Sequence, residues 1–190
     1  MKAVVLGGTF NPVHYGHLYI AEDVRTALGY DTAIFVPANQ PVHKDLSPVL
    51  EPRHRLEMLR IAAAGHDGFI VDPDEIERGG PSYSIDTIAG LIPRYGITGK
   101  PGFLIGDDLA GGFSSWKNVD ELVRIVDVIV ARRTLAGPVP FDYPHRSVAN
   151  VILPISSSEI RRRIGEHRTV RYLVPDAVLA YIRTHHLYER

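Results

Sequence analysis

The chain contains no cysteine, one tryptophan and two methionines in 190 residues. Without cysteine there are no disulfides, no thiolate-held iron–sulfur clusters and no thiol nucleophile, which suits a reducing compartment. Charge of one sign is also lacking: 21 basic side chains stand against 22 acidic ones, for a net charge of −1. Nonspecific attraction to nucleic acid or to a membrane surface is therefore not expected. No apolar run approaches the roughly 20 residues that a membrane-spanning helix needs. The N-terminus lacks the charged, apolar and cleavage regions of a signal peptide, so a cytoplasmic location is the expectation. What remains is an ordinary globular composition, 45% apolar, of a length that suits one domain spanning residues 1–190.

The most informative stretch is the first one. An apolar run from Ala3 to Leu6 meets Gly7-Gly8-Thr9-Phe10-Asn11-Pro12, followed by His14, Gly16, His17 and a helical pattern to about Leu28. A strand, a glycine turn and a helix start make a phosphate-binding layout: free backbone N–H groups face the anion, and glycine lets the backbone approach. His14 and His17, three residues apart, share one face of that helix, and Gly16 between them is expected to leave room for ligand. Neither the P-loop pattern nor the dinucleotide glycine pattern is present. The alternatives are a structural glycine turn with surface histidines, or a metal pair at i, i+3; the latter lacks a third ligand of obvious spacing.

Further along, Thr32–Val36 and Phe69–Val71 read as strands, and Pro52–Ala64 as a helix. The pattern continues with a strand over Lys100–Ile105, a helix over Val119–Ile125, and strands over Val126–Ala131 and Val148–Leu153. Helices follow from Ile155 and from Val174 to Ile182. This alternation predicts an α/β fold, a doubly wound parallel sheet with C-terminal helices and ligands at the sheet's carboxyl edge. Three loops fall at that edge. Pro37 to Lys44 has a basic tip. Asp72 to Thr87 is an acidic loop leading to a helix start that Ser82 or Ser84 can cap. Gly106-Asp107-Asp108 places a carboxylate where it suits a ribose diol or polyphosphate-bound Mg²⁺, or else caps a helix. Arginines at 161–163 near a helix N-terminus oppose its dipole, a cost that a bound anion relieves.

The segment G-G-T-F-N-P-V-H-Y-G-H resembles the signature of the nucleotidyltransferase superfamily with the H-x-G-H motif. E-I-E-R-G-G-P-S-Y-S-I-D-T (Glu75–Thr87) narrows the resemblance to the nicotinate-nucleotide adenylyltransferases. P-A-N-x-P-x-H-K, R-x-x-M (Arg55, Met58), I-G-x-D, F-x-x-W-K, I-S-S-S-E-I-R and the closing V-P-x-x-V-x-x-Y-I-x-x-x-x-L-Y match in the same order. The resemblance implies a Rossmann-like nucleotidyltransferase fold and adenylyl transfer from ATP to nicotinate mononucleotide, giving deamido-NAD and pyrophosphate. It implies ATP contacts from Gly7, Gly8, Thr9, Phe10, His14, His17, Gly106, Asp108, Ser156, Ser157, Ile160 and Arg161, with His17, His14 and Arg161 stabilising charge during transfer. Asn39, Lys44, Ser82, Tyr83, Ser84, Thr87, Trp116 and Lys117 are implied for the mononucleotide, with Trp116 stacked on the pyridine ring and Met58 in the core. Mg²⁺ is implied as a cofactor held mainly by the ATP phosphates, with no protein metal site. Small-molecule substrates are expected, without nucleic acid or membrane partners, and family members often self-associate.

Two departures stand out. Asn11 occupies a position where the family usually has Asp, and Asp107 one where it usually has Ala. The remaining alternatives are a nicotinamide mononucleotide or dual-specificity adenylyltransferase and, from another class, a non-catalytic nucleotide-binding regulator. Phosphopantetheine transfer is more distant, and an aminoacyl-tRNA synthetase fragment lacks its lysine loop here.

Overall fold

A computed structural model describes residues 1–41, 50–133 and 140–189. In chain order the elements are β1 (Ala3–Gly8), α1 (Tyr15–Ala27), β2 (Thr32–Pro37), β3 (Gln40–Pro41), α2 (Pro52–Ala63), β4 (Phe69–Val71), α3 (Asp74–Arg78), β5 (Pro81–Ser82) and α4 (Ser84–Arg94). There follow β6 (Gly102–Gly106), α5 (Asp107–Ala110), α6 (Val119–Ile125), β7 (Asp127–Ala131), β8 (Arg146–Val148), α7 (Ser157–Gly165) and α8 (Asp176–Thr184).

Six strands form one sheet in the order β4-β2-β1-β6-β7-β8, all pairs parallel. Side-chain alternation along buried strands explains the two layers. Val4, Ala33, Phe35, Leu104 and Ile129 face one cluster, which also holds Ala21, Val24, Met58, Ile160 and Val178 from α1, α2, α7 and α8. Val5, Ile34, Val36, Phe103, Ile105 and Val128 face the other, with Ile88 and Leu91 of α4 and Leu122 of α6. A strand buried on both faces needs apolar residues at every position, which is why these runs look continuous and not alternating. The sheet is doubly wound as expected. Its order reverses between β1 and β6, and ligands bind outside the carboxyl ends of strands at such a switch point.

Three expectations need correction. The last strand is not Val148–Leu153 but β8, Arg146–Val148. Beyond it the Asn150 amide replaces the ladder: Oδ1 accepts the Arg132 N–H at 2.9 Å and Nδ2 donates to the Arg132 carbonyl at 2.8 Å. With its backbone role taken by a side chain, the strand ends there. The acidic loop contains the short helix α3, favoured by Asp74, Glu75 and Glu77 in its first turn. At α4, Tyr83 and not Ser82 or Ser84 is the N-cap, extended and without a side-chain cap bond.

The strands β3 and β5 form a separate two-stranded parallel ribbon, Gln40 opposite Pro81 and Pro41 opposite Ser82. It joins the loop after β2 to the loop before α4, so two segments 41 residues apart in sequence become one wall. Among the described residues no helix is long and apolar enough to cross a membrane.

Candidate active site

A cavity of about 350 Å³ opens at the switch point. Its walls come from the β1–α1 turn (Gly7, Gly8, Thr9, Phe10, Asn11, His17), the ends of β6 and α5 (Gly106, Asp108), and the start of α7 (Ser156, Ser157, Arg161). The remaining side carries Ala38, Pro41, Glu75, Ser82, Ser84 and Trp116. Residues spread from 7 to 161 thus meet because each follows a strand or opens a helix on the same edge of the sheet.

The β1–α1 turn, the candidate phosphate cradle, forms one wall of the cavity. Phe10 has φ of 48°, uncommon for a bulky residue, with its ring buried at 2% exposure. The start of α7 docks on this turn through two bonds: Ser157 Oγ donates to the Pro12 carbonyl at 2.8 Å, and Arg161 Nη1 to the Asn11 carbonyl at 2.8 Å. Ser156 is the N-cap, its hydroxyl accepting the Glu159 N–H. Glu159 ion-pairs with Arg162 and Arg163 on the outer face, which leaves Arg161 as the arginine of that run on the cavity wall. Ile160 lies wholly in the core beneath, anchoring the turn without reaching the cavity.

The two histidines divide. His17 lines the cavity; its Nδ1 accepts the backbone N–H of His14 at 3.3 Å, so the neutral ring carries its proton on Nε2. His14 is the N-cap of α1 and stacks on His17, centroids 3.7 Å apart and planes 25° from parallel. His14 is only 1% exposed and does not line the main cavity. Burial, aided by the positive charge of Arg133, pushes its pKa down to about 3, so it is neutral at ordinary pH. Gly16 also serves this packing: a Cβ there would lie 3.0 Å from His14 Nδ1.

Asn11 is 2% exposed, and its Oδ1 accepts the Tyr188 hydroxyl at 2.8 Å. Its Nδ2 and both ring nitrogens of His14 are the buried side-chain polar atoms left without partners among the described residues. Such atoms normally find partners, and here they cluster at the cradle. On the opposite wall, Asp108 and Arg133 face each other at 3.4 Å, with Gly106 between them. A Cβ at Gly106 would meet Asp108 Oδ1 and Arg133 Cδ, so a larger residue there would push this pair apart. The extra carboxylate, Asp107, is buried and accepts the Arg133 N–H at 2.9 Å. Neither aspartate is the N-cap of α5, which is Gly106.

On the far side, Trp116 packs against Phe113 and Phe103, centroids at 5.0 and 6.0 Å. Ser82 and Ser84 line the cavity, whereas Tyr83, Thr87, Asn39 and Lys117 support the wall from outside it. The Lys117 ammonium lies 4.4 Å over the Tyr83 ring and 2.9 Å from Asp86. Thr87 is buried and donates to Glu75. Asn39 is a tie: its N–H donates to Ser82 Oγ at 2.9 Å and its Nδ2 to the Gly80 carbonyl at 3.0 Å. Lys44 lies outside the described residues. Among the described residues no group of three or more His, Asp or Glu could hold a metal ion.

Sequence reasoning did not single out Glu75 or Arg133 on the cavity wall. Glu75 is 6% exposed and burial raises its pKa, opposed by hydrogen bonds from Ser82 and Thr87. The signal available was its place in the Glu75–Thr87 motif.

Comparison with known proteins agrees with this architecture. The cytidylyltransferase-like family matches residues 5–163. A probable nicotinate-nucleotide adenylyltransferase of Borrelia garinii is 38% identical over 188 residues, covering 99% of this chain and 95% of its own. One of Lactiplantibacillus plantarum is 40% identical over 186 residues, covering 98% and 87%. Among solved structures, the Plasmodium falciparum nicotinic acid mononucleotide adenylyltransferase complexed with NaAD superposes with a TM-score of 0.78 at 17% identity, covering 99% of this chain and 98% of that one. The chain belongs to the nicotinate-nucleotide adenylyltransferase family, within the cytidylyltransferase-like group.

Proposed function

We propose that this protein transfers the adenylyl group of ATP to nicotinate mononucleotide, releasing pyrophosphate and forming nicotinate adenine dinucleotide, a step of NAD biosynthesis. The observation that carries this reading is that one cavity joins two differently built halves. The cradle, His17 and Arg161 suit a polyphosphate, and the wall of Ser82, Ser84 and Trp116 suits a planar ring bearing a small polar group.

The chemistry asks little of the protein beyond placement. The attacking group is the mononucleotide's own phosphate, already an anion, so neither a general base nor a covalent enzyme intermediate is needed. Catalysis is positioning and charge stabilisation at the α-phosphorus. His17 donates from Nε2 to the α-phosphoryl oxygens as charge builds. Arg161 lies over the leaving pyrophosphate, and the amides of Thr9 and Phe10 cradle the chain. The reading of His14 as a polyphosphate ligand rests on the resemblance; its burial supports a second role, a neutral plate that fixes the His17 ring.

Mg²⁺ would arrive on the ATP phosphates and neutralise part of their charge. The Asp108 carboxylate at the cavity wall, paired with Arg133, would suit an outer contact to such an ion, or to the ribose diol, better than a dedicated metal site. Selectivity for the acid is read from backbone donors near Ser84 and Lys117, where the N-terminus of α4 favours an anion. The test is product identification. Purified protein with ATP, Mg²⁺ and nicotinate mononucleotide is expected to yield pyrophosphate and a product of the dinucleotide's mass; binding of ATP without either product would favour a regulator.

A further inference from the structure

Among the described residues Arg55 carries the one guanidinium that the fold buries completely, at 0% exposure, and the proposed reaction does not use it. It projects from the first turns of α2 and spends its donors on three backbone carbonyls. Nη1 donates to Thr9 at 2.8 Å, Nη2 to Asn39 at 3.2 Å and Nε to Leu50 at 3.1 Å. Among the described residues it forms no ion pair. Burial pushes its pKa down to about 10, so it remains a cation at neutral pH. The buried Glu75 carboxylate favours the cation from nearby without a direct ion pair, and a buried cation so weakly compensated is costly: an apolar side chain of similar volume usually packs at least as well. Packing alone does not account for an arginine here.

What the three carbonyls share is position. Thr9 is in the phosphate cradle. Asn39 opens the ribbon that becomes the opposite wall, and Leu50 is where the chain returns to α2. We propose that Arg55 is a positioning residue that fixes the phosphate cradle and the mononucleotide wall at a set separation, and through them the alignment of the two substrates. This rests on the adenylyl-transfer reading and goes beyond it.

The covalent geometry adds direction. In a trans peptide the carbonyl and the following N–H point opposite ways. With the Thr9 oxygen held by Arg55, the Phe10 N–H faces away from the guanidinium, on the side of a residue that lines the cavity. A cationic donor on that oxygen also polarises the peptide unit and strengthens its N–H as a donor. Three parallel restraints from one planar fork are something an ammonium cannot reproduce. Lysine at this position keeps the charge but holds at most part of the set.

The experiment is single-turnover kinetics on Arg55→Lys beside the wild type, with the dissociation constant of each substrate measured alone by calorimetry. If Arg55 aligns the substrates, the chemical step slows by about 10- to 100-fold, as small misplacements do. Each substrate alone should still bind within about threefold of wild type, since its own half-site is intact. A purely structural role would lower the folded fraction and the melting temperature but leave the rate per active site unchanged. A rate within about twofold of wild type would overturn the proposal.

A second measurement uses the wild type alone. Hydrogen exchange with nicotinate mononucleotide should show slowed exchange at Thr9 and Phe10 as well as at Asn39, because the fork joins them. Protection confined to the Asn39 side would overturn the coupling. A wild type that forms no dinucleotide would refute the reaction itself, whereas an active wild type with an equally active Arg55→Lys would refute only the role of Arg55.

Discussion

Tyr188→Phe isolates the bond that ties the end of the described chain to the cradle. The Tyr188 hydroxyl donates to Asn11 Oδ1 at 2.8 Å across 177 residues of sequence. Burial raises the phenol's pKa above its usual range, so it stays a donor at any working pH. Asn11 is 2% exposed and its Nδ2 already lacks a partner. Removing the hydroxyl leaves both polar ends of a buried amide unpaired. Leaving a buried acceptor unsatisfied costs about 1–3 kcal/mol. For a chain of this size, each kcal/mol lowers the melting temperature by about 2–4 °C, so a drop of roughly 2–12 °C is expected. Urea unfolding of wild type, Tyr188→Phe, Asn11→Leu and the double variant closes the cycle. In the Asn11→Leu background the tyrosine change should cost about 0.5 kcal/mol or less, since no acceptor remains to be orphaned. Equal losses in both backgrounds would show that Tyr188 matters through ring packing and would refute the argument.

Three further outcomes follow from the site. His17→Ala should lower turnover by about 10²–10³, the usual effect of losing one donor to developing charge, with the fold retained though somewhat less stable because the His14 N–H loses its acceptor; near-normal turnover would remove His17 from the chemistry. Trp116→Ala should raise KM for the mononucleotide roughly 5- to 100-fold, as loss of an aromatic stacking platform does, with a smaller effect on KM for ATP. The His14 ring takes up a proton near pH 6.5 when unfolded but only near 3 when folded. Between those values the unfolded chain binds more protons, so stability falls as pH drops below about 6.5. From pH 7 to 5 this group alone should cost about 2 kcal/mol. Urea midpoints at the two pH values measure it, and His14→Gln should lack that share of the loss.

Much of this molecule was legible in its sequence because the signals were local. The apolar run Ala3–Leu6 reads directly as a strand, which the structure carries on to Gly8, and the glycine turn before His14 and His17 lies on the cavity wall. The serines and Arg161 of α7 likewise stand in one short motif. What was not legible depends on distant partners. Val148–Leu153 has strand-like residues, yet the ladder stops at Val148 because Asn150 turns its amide onto Arg132. Gly16 reads as space beside the backbone, and only the fold shows that the His14 ring packs against it. Asn39 reads as a contact to substrate, and its ties across the ribbon, from Nδ2 to the Gly80 carbonyl and from its N–H to Ser82, come from the fold. Arg55 is visible in sequence as one position of a motif; that it spans three carbonyls 5 to 46 residues away is a property of the fold.

The most direct measurement is a competition. The protein is given α-labelled ATP, Mg²⁺ and equal concentrations of nicotinate and nicotinamide mononucleotides, and the labelled products are separated and weighed by mass spectrometry. The account predicts that the α-phosphorus label appears in nicotinate adenine dinucleotide, with unlabelled pyrophosphate released and little of the amide dinucleotide. Equal labelling of both dinucleotides would remove the acid-selective wall while leaving the transfer chemistry. Label retained in ATP, or released without a dinucleotide, would contradict the account.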